Sequence, residues 1–149
     1  MNNVTEETPR EVLMVEDNAG DVRMAVEAWK DGRVKTHLTV LRNADEALAS
    51  LRCEGPYQGA PRPDLVLMDL NLARTGGHDL LAELKRDPRL RRLPVVVLTT
   101  SDAQPDILQC YERHANCYVV KPAGQARSFE VLRSIRDFWL TVATLPPSA

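Results

Sequence analysis

The chain has 149 residues, 44% hydrophobic and 27% charged, the size of one globular domain with a core of its own and without space for a second output domain. Its 19 lysines and arginines against 21 aspartates and glutamates give a formal net charge of -2, which argues against the concentrated basic surface that DNA or an anionic membrane requires. The apolar runs fall well short of the roughly 20 residues of a membrane span, and polar Met1 to Arg10 lacks the apolar centre of a secretion signal, so a soluble, cytoplasmic protein is expected.

In chain order, Val12 to Val15 is a short aliphatic run with the character of a buried strand, followed by Val22, Ala25, Val26 and Trp29 at helical spacing. Leu38 to Leu41 is a weaker strand, interrupted by Thr39, and belongs at a sheet edge. Asn43, three residues before Glu46, marks the start of a second helix carrying Ala44, Ala47, Leu48 and Leu51. Gly55 to Pro63 is rich in turn formers and reads as a surface loop before the strand Leu65 to Met68. Leu80, Leu81 and Leu84 define a third helix that stops before Pro88. After the strand Val95 to Leu98, Pro105 opens a fourth helix expected to bury Ile107, Leu108 and Tyr111. The strand Cys117 to Val120 leads into a long last helix carrying Phe129, Leu132, Ile135, Phe138, Trp139 and Val142.

The order is (βα)5, and right-handed crossovers with helices on both faces predict a doubly wound parallel five-stranded sheet of order 2-1-3-4-5. It occupies residues 11–145, leaving a flexible segment 1–10 and a short tail 146–149. Cys53, Cys110 and Cys117 are an odd number without metal-site spacing and are expected to be reduced thiols.

Parallel strands all end at one edge, and ligands bind in the crevice beyond it. The residues following each run therefore converge: Glu16 and Asp17 after the first strand, Asp69 and then Asn71 after the third, Thr99, Thr100 and Ser101 after the fourth, Lys121-Pro122 after the fifth. Carboxylates so close repel one another unless a cation compensates, and an oxygen-rich acidic cluster suits Mg²⁺. With that charge neutralised, Asp69 can act as a nucleophile toward phosphorus, with Lys121 as a point charge and the Thr99 hydroxyl donating to a phosphoryl oxygen.

These residues, within Val15-Glu-Asp-Asn18, Leu65-Val-Leu-Met-Asp-Leu-Asn-Leu72, Pro94-Val-Val-Val-Leu-Thr99 and Tyr118-Val-Val-Lys-Pro122, resemble the receiver domains of two-component response regulators, which have a flavodoxin-like fold. The resemblance implies that Asp69 is the phosphoryl acceptor, that Asp17, Asp69 and the Asn71 backbone carbonyl are metal ligands, and that Glu16 assists mainly through water. Thr99 would be the hydroxyl switch, Tyr118 the aromatic switch and Lys121 the phosphate-binding lysine. Gly77 occupies the family's glycine position after the acceptor, where close backbone approach or positive φ is tolerated. Such proteins are signalling phosphoacceptors that catalyse only their own phosphotransfer and dephosphorylation.

A narrower likeness lies in Gly59 to Asp64, Asp87-Pro-Arg-Leu90, Asn116-Cys-Tyr118 and Phe138 to Pro146, which resemble the small response regulators that serve phytochrome histidine kinases. It implies such a kinase as partner and a homodimer through the fourth helix, fifth strand and fifth helix, with Tyr111, Tyr118, Phe138 and Trp139 giving that surface its apolar content. Of Phe138 and Trp139, one is expected in the core, because adjacent helical positions diverge by about 100°. Ala73 stands where the family usually has proline, implying a more mobile loop and bearing on the lifetime of the phosphorylated state.

Two rivals accompany this reading. A haloacid-dehalogenase-type phosphatase also forms an aspartyl phosphate, but its Asp-x-Asp follows the first strand, whereas Asp69-Leu-Asn71 follows the third. A receiver-like binding module without phosphorylation would keep the fold and not the chemistry. His37, His78 and His114 are expected at the surface, away from the strand ends.

Overall fold

A computed structural model describes residues 8–72 and 76–147. The elements run β1 (Arg10–Val15), α1 (Ala19–Ala28), β2 (Thr36–Leu41), α2 (Ala44–Leu51), β3 (Leu65–Met68), α3 (Gly77–Arg86), β4 (Val95–Thr99), α4 (Gln104–Glu112), β5 (Cys117–Val120) and α5 (Gln125–Asp137). The strands are parallel in the order β2-β1-β3-β4-β5, which matches the expected topology and puts the weakly apolar Leu38 to Leu41 at the edge. Arg10 pairs with Thr36 within β1 and its N–H donates to the Lys35 carbonyl, so the first strand begins one residue inside the segment expected to be flexible.

Alternation along the strands builds two cores. Leu13, Val15, Val66, Met68, Val95 and Val97 join Ala44 and Ala47 of α2, Leu80, Leu81 and Leu84 of α3 and Cys110 of α4 on one face. Val12, Met14, Leu65, Leu67, Val96 and Leu98 join Ala25 and Ala28 of α1 and Leu132 and Ile135 of α5 on the other. Each fully buried aliphatic side chain of this kind contributes about 1.5–3 kcal/mol before chain entropy is subtracted.

Local signals set the helix starts. Asn18 and Asn43 cap α1 and α2 by accepting from the N–H groups of Asp21 (3.0 Å) and Glu46 (2.8 Å). A φ of 93° at Gly124 turns the chain into α5.

Two helices depart from the sequence expectation. In α4 only Cys110 is fully buried, while Leu108 and Tyr111 are exposed. This short helix rests on the β4–β5 end of the sheet through a narrow face, so Ile107 is half-buried and Leu108 and Tyr111 point outward. The last helix also does not run on: after Asp137 it widens into a π-helical turn, Phe138–Val142, closed by the Ala143 N–H to the Phe138 carbonyl at 2.7 Å. A wider turn rotates the following side chains relative to an α-helix. Leu140 consequently enters the core and Val142 is 72% exposed. Phe138 is exposed and meets half-buried Trp139 edge to face at 5.4 Å.

Candidate functional site at the carboxyl edge of the sheet

Glu16, Asp69, Thr99 and Lys121 arrive at one edge because β1, β3, β4 and β5 end there, and the first three are buried. Lys121 Nζ donates to Glu16 Oε2 at 2.8 Å, Asp69 Oδ2 at 2.9 Å and Asp21 Oδ2 at 2.9 Å. Burial disfavours the lysine's charge, but the hydrogen bonds to Glu16, Asp21 and Asp69 outweigh it and hold Lys121 protonated well above its ordinary range. Burial likewise works against the Asp69 carboxylate, yet Lys121 and the Asn71 N–H on Oδ1 (3.1 Å) keep its pKa below the ordinary value. Glu16 goes the other way: burial pushes it up to about 7 despite the pull of Lys121, with Asp69 adding repulsion. The Thr99 hydroxyl is fully buried and makes no hydrogen bond with any described residue. It lies near enough to favour the Asp69 carboxylate without being aligned into a formed bond.

The loop after β3 is pressed against α3. The Gly77 N–H donates to the Leu70 carbonyl at 3.0 Å, and a Cβ on Gly77 would collide with the Asp69 carbonyl oxygen and stand 2.7 Å from the Leu70 Cα. Close approach therefore requires this glycine, and a positive φ does not, since Gly77 is not among the positive-φ residues. Ala73 and its neighbours 74–75 lie outside the described residues.

Glu16, Asp21 and Asp69 each offer a carboxylate oxygen, and the three atoms lie within 4.8 Å of one another. Hard oxygen donors of this kind fit a small divalent cation. Sequence reasoning had Glu16 and Asp69 but missed Asp21; the signal was available, because Asn18 as N-cap puts Asp21 in the first turn of α1, facing the same edge. Asp17 is exposed beside Glu16, and Asn71 is exposed beyond Asp69.

The response regulator receiver domain family matches residues 12–133. The chain belongs to that family. Response regulator Rcp1 of Synechocystis sp. is 42% identical over 138 residues, covering 93% of this chain and 94% of Rcp1. Among solved structures, the phosphorylated cyanobacterial phytochrome response regulator RcpA superposes with a TM-score of 0.92 at 44% identity, over 94% of this chain and 100% of that one. The Mn²⁺-bound form of Rcp1 gives 0.91 at 42% identity, over 93% and 100%. Membership in this family, together with an aspartate that follows the third strand, goes against the haloacid-dehalogenase alternative.

In this receiver, Tyr118 is half-buried, and its hydroxyl donates to the Ser101 carbonyl at 2.8 Å. Its N–H donates to the Tyr111 hydroxyl at 3.2 Å. His37 and His114 are exposed as expected, whereas His78 is half-buried. It sits between α3 and α4, with Nε2 at 3.2 Å from Asp106 Oδ1 and Nδ1 at 3.8 Å from Cys110 Sγ. No short-range sequence signal marks that contact, since 28 residues separate the histidine from the aspartate. Among the described residues no helix is long and apolar enough to cross a membrane.

Proposed function

We propose that this receiver takes a phosphoryl group from a phosphohistidine of a sensor histidine kinase onto Asp69 in a Mg²⁺-dependent step. The observation that carries the reading is the buried Thr99 hydroxyl, without a hydrogen-bond partner among the described residues, beside the Asp69–Lys121 pair. A buried hydroxyl without a partner costs about 1–3 kcal/mol, and a phosphoryl oxygen on Asp69 would supply the missing acceptor.

In the transfer an Asp69 carboxylate oxygen bonds to phosphorus as the phosphorus–nitrogen bond of the donor breaks, its electron pair returning to the imidazole. Lys121 leaves part of its carboxylate company to face the phosphoryl oxygens, and the Asn71 N–H holds the acceptor in line. Glu16, Asp17, Asp21, Asp69 and the Asn71 carbonyl are the residues to hold the metal. When bound, a divalent ion neutralises charge on the transferring group. The Mn²⁺ of the related Rcp1 structure supports a divalent ion here.

Charge added at Asp69 then draws Thr99 toward it, and Tyr118 follows, biasing the surface of α4, β5 and α5. Leu108, Tyr111 and Val120 are exposed there, as is Phe138 beyond α5, which supports a protein-binding surface and a homodimer through it. The Rcp1 and RcpA likenesses support a phytochrome as the kinase. The role is that of a cytoplasmic signalling phosphoacceptor with no turnover of a separate substrate.

Incubation with acetyl phosphate and Mg²⁺, read by intact mass, is expected to label the wild type and leave Asp69→Asn unlabelled. Equal labelling of both would overturn the acceptor assignment. Light scattering with and without the phosphodonor tests the dimer, and an unchanged monomer mass in both rejects it.

A further inference from the structure

Where α1 ends and β2 begins, at the corner of the molecule opposite the Asp69 site, an open hollow of about 420 Å³ lies against the sheet. Val26, Val34 and Leu38 give it an apolar side, with Val26 39% exposed, and Lys30, Arg33 and Lys35 give it a cationic one. The acids nearby are engaged: Glu27 by Lys30 at 2.7 Å, Glu11 by His37 at 2.7 Å, and Asp31 by Arg133 and Arg136 at 3.5 and 3.8 Å. Arg33 and Lys35 have no acidic partner among the described residues. A chain of net charge -2 thus keeps two unmatched cations beside one apolar hollow.

The hollow opens onto a free sheet edge. Among the described residues β2 pairs with β1 alone. The Lys35 and Leu41 carbonyls face β1, accepting from the N–H groups of Arg10 (2.9 Å) and Glu16 (3.0 Å). Backbone groups alternate along a strand, so the N–H and C=O of Thr36, Leu38 and Val40 face away from the sheet. Leu38 and Val40 turn their side chains to the face that α1 and α5 cover, and Lys35 has the opposite parity. A strand added here sets alternate side chains beside Leu38 and beside Lys35.

A bland account covers the charges. Lys30 and Arg33 suit the carboxyl end of α1, and a lysine beside an edge strand deters pairing with like edges. It does not account for the apolar side left open between them. The same cations that repel a second copy of this edge attract an acidic strand.

We propose that the outer edge of β2 binds an extended acidic segment of a partner protein, with apolar and carboxylate side chains in alternation, by strand addition. The open groups of Thr36, Leu38 and Val40 take its backbone, its apolar side chains cover Leu38 and Val26, and its carboxylates meet Lys35 and Arg33. The site lies at the amino edge, so binding requires neither Asp69 nor a metal ion and stands apart from the phosphoacceptor reading.

The test uses the full chain without phosphodonor and a fluorescein-labelled peptide, Glu-Val-Glu-Leu-Glu-Val-Glu, read by anisotropy and by amide hydrogen exchange. The peptide is expected to bind and, at saturation, to slow exchange of the Thr36, Leu38 and Val40 amides by about tenfold or more. Two further peptides carry N-methyl groups on the apolar residues or on the glutamates. One of them, the one methylated on the residues that face β2, should bind at least about tenfold more weakly, since side chains and charge are unchanged and only the pairing is lost. Arg33→Glu with Lys35→Glu should weaken the parent peptide by about tenfold or more. Arg91→Glu with Arg92→Glu, the same change in net charge at the start of β4, should leave it within about twofold. Absence of binding, unchanged exchange at the three amides, or full binding by both methylated peptides overturns the proposal. Displacement of the peptide by sodium octanoate with no amide protection of its own supports it, whereas octanoate that protects the three amides as the peptide does marks a site for a small anionic amphiphile and overturns it. Should the charge-reversed variant fail to fold, the methylated peptides decide the question on the unaltered chain.

Discussion

At the carboxyl edge of the sheet one ammonium, Lys121, serves three carboxylates, and a buried hydroxyl goes unpaired among the described residues. At the opposite edge two cations, Lys85 and Arg136, each bind carbonyl oxygens, and Arg136 also pairs with the carboxylates of Asp137 (3.0 Å) and Asp31 (3.8 Å) at the surface. Lys85 Nζ donates to the carbonyls of Arg91 and Leu93 and to the Asn116 side chain, whose oxygen also accepts the Val95 N–H. The Arg136 side chain donates Nη1 to the Ala28 carbonyl at the end of α1 (3.0 Å), and Trp29 Nε1 donates to the Leu132 carbonyl of α5 (2.8 Å). Carbonyls and amides do not repel one another when gathered, so that end fastens α1 to α5 and α3 to the strand starts in one arrangement. Like-charged carboxylates have no single best arrangement once the charge on any of them changes. The fold thus has a fixed end and a rearrangeable end, and the chemistry sits at the second.

The sharpest way to test that contrast is to remove Lys121. Lys121→Met leaves Glu16, Asp21 and Asp69 facing each other, and in chelator at pH 8 it is expected to cost about 3–5 kcal/mol in a urea titration, the range for breaking a buried ion pair. Excess Mg²⁺ should return part of that loss by binding only the folded state. A loss below about 1 kcal/mol would mean that the carboxylates relax into solvent and the edge is not under charge stress.

Next comes the fixed end. Arg136→Ala strips the α1 carboxyl terminus of its donor and is expected to cost about 1.5–3 kcal/mol, the range for a hydrogen bond to a charged group. This loss should be indifferent to Mg²⁺. A dependence on Mg²⁺ would break the separation of the two ends.

The smallest expected effect has the opposite sign. In the folded chain Glu16 titrates near 7 instead of its ordinary 4.5, so the native state binds this proton more tightly than the unfolded state. By linkage this group lowers stability as pH rises from about 4.5 to 7, and its penalty is complete above 7. Without metal, Glu16→Gln should therefore stabilise the protein at pH 8 by about 1 kcal/mol and remove that part of the pH slope. Destabilisation at pH 8 would show that the Lys121 bond outweighs burial.

How much of this was legible in the sequence depends on range. The short aliphatic runs and the residues that follow them gave the sheet order and four of the site residues, Glu16, Asp69, Thr99 and Lys121, because strand ends in a parallel sheet coincide whatever lies between them. Asp21 was one step further, readable only by treating Asn18 as a cap. The outward-facing Leu108 and Tyr111 on α4 were misread because helical periodicity reports an apolar face without saying how much of it a neighbour covers. Val142 was misplaced because a single π turn shifts the phase of everything after it, and nothing in Phe138 to Val142 announces the turn.

The sequence by itself determined which chemistry gathers at one edge: acids after the first and third strands, a hydroxyl after the fourth and a lysine after the fifth. Tertiary structure alone decided that Asp21 binds Lys121 beside them, that the Thr99 hydroxyl has no hydrogen-bond partner among the described residues, and that His78 meets Asp106 and Cys110 between α3 and α4. The physical reason is that strand-end convergence follows from a repeating backbone geometry, whereas side-chain partners between helices depend on how closely two surfaces approach. Here that approach was set by the missing Cβ of Gly77 and by the narrow seat of α4 on the sheet.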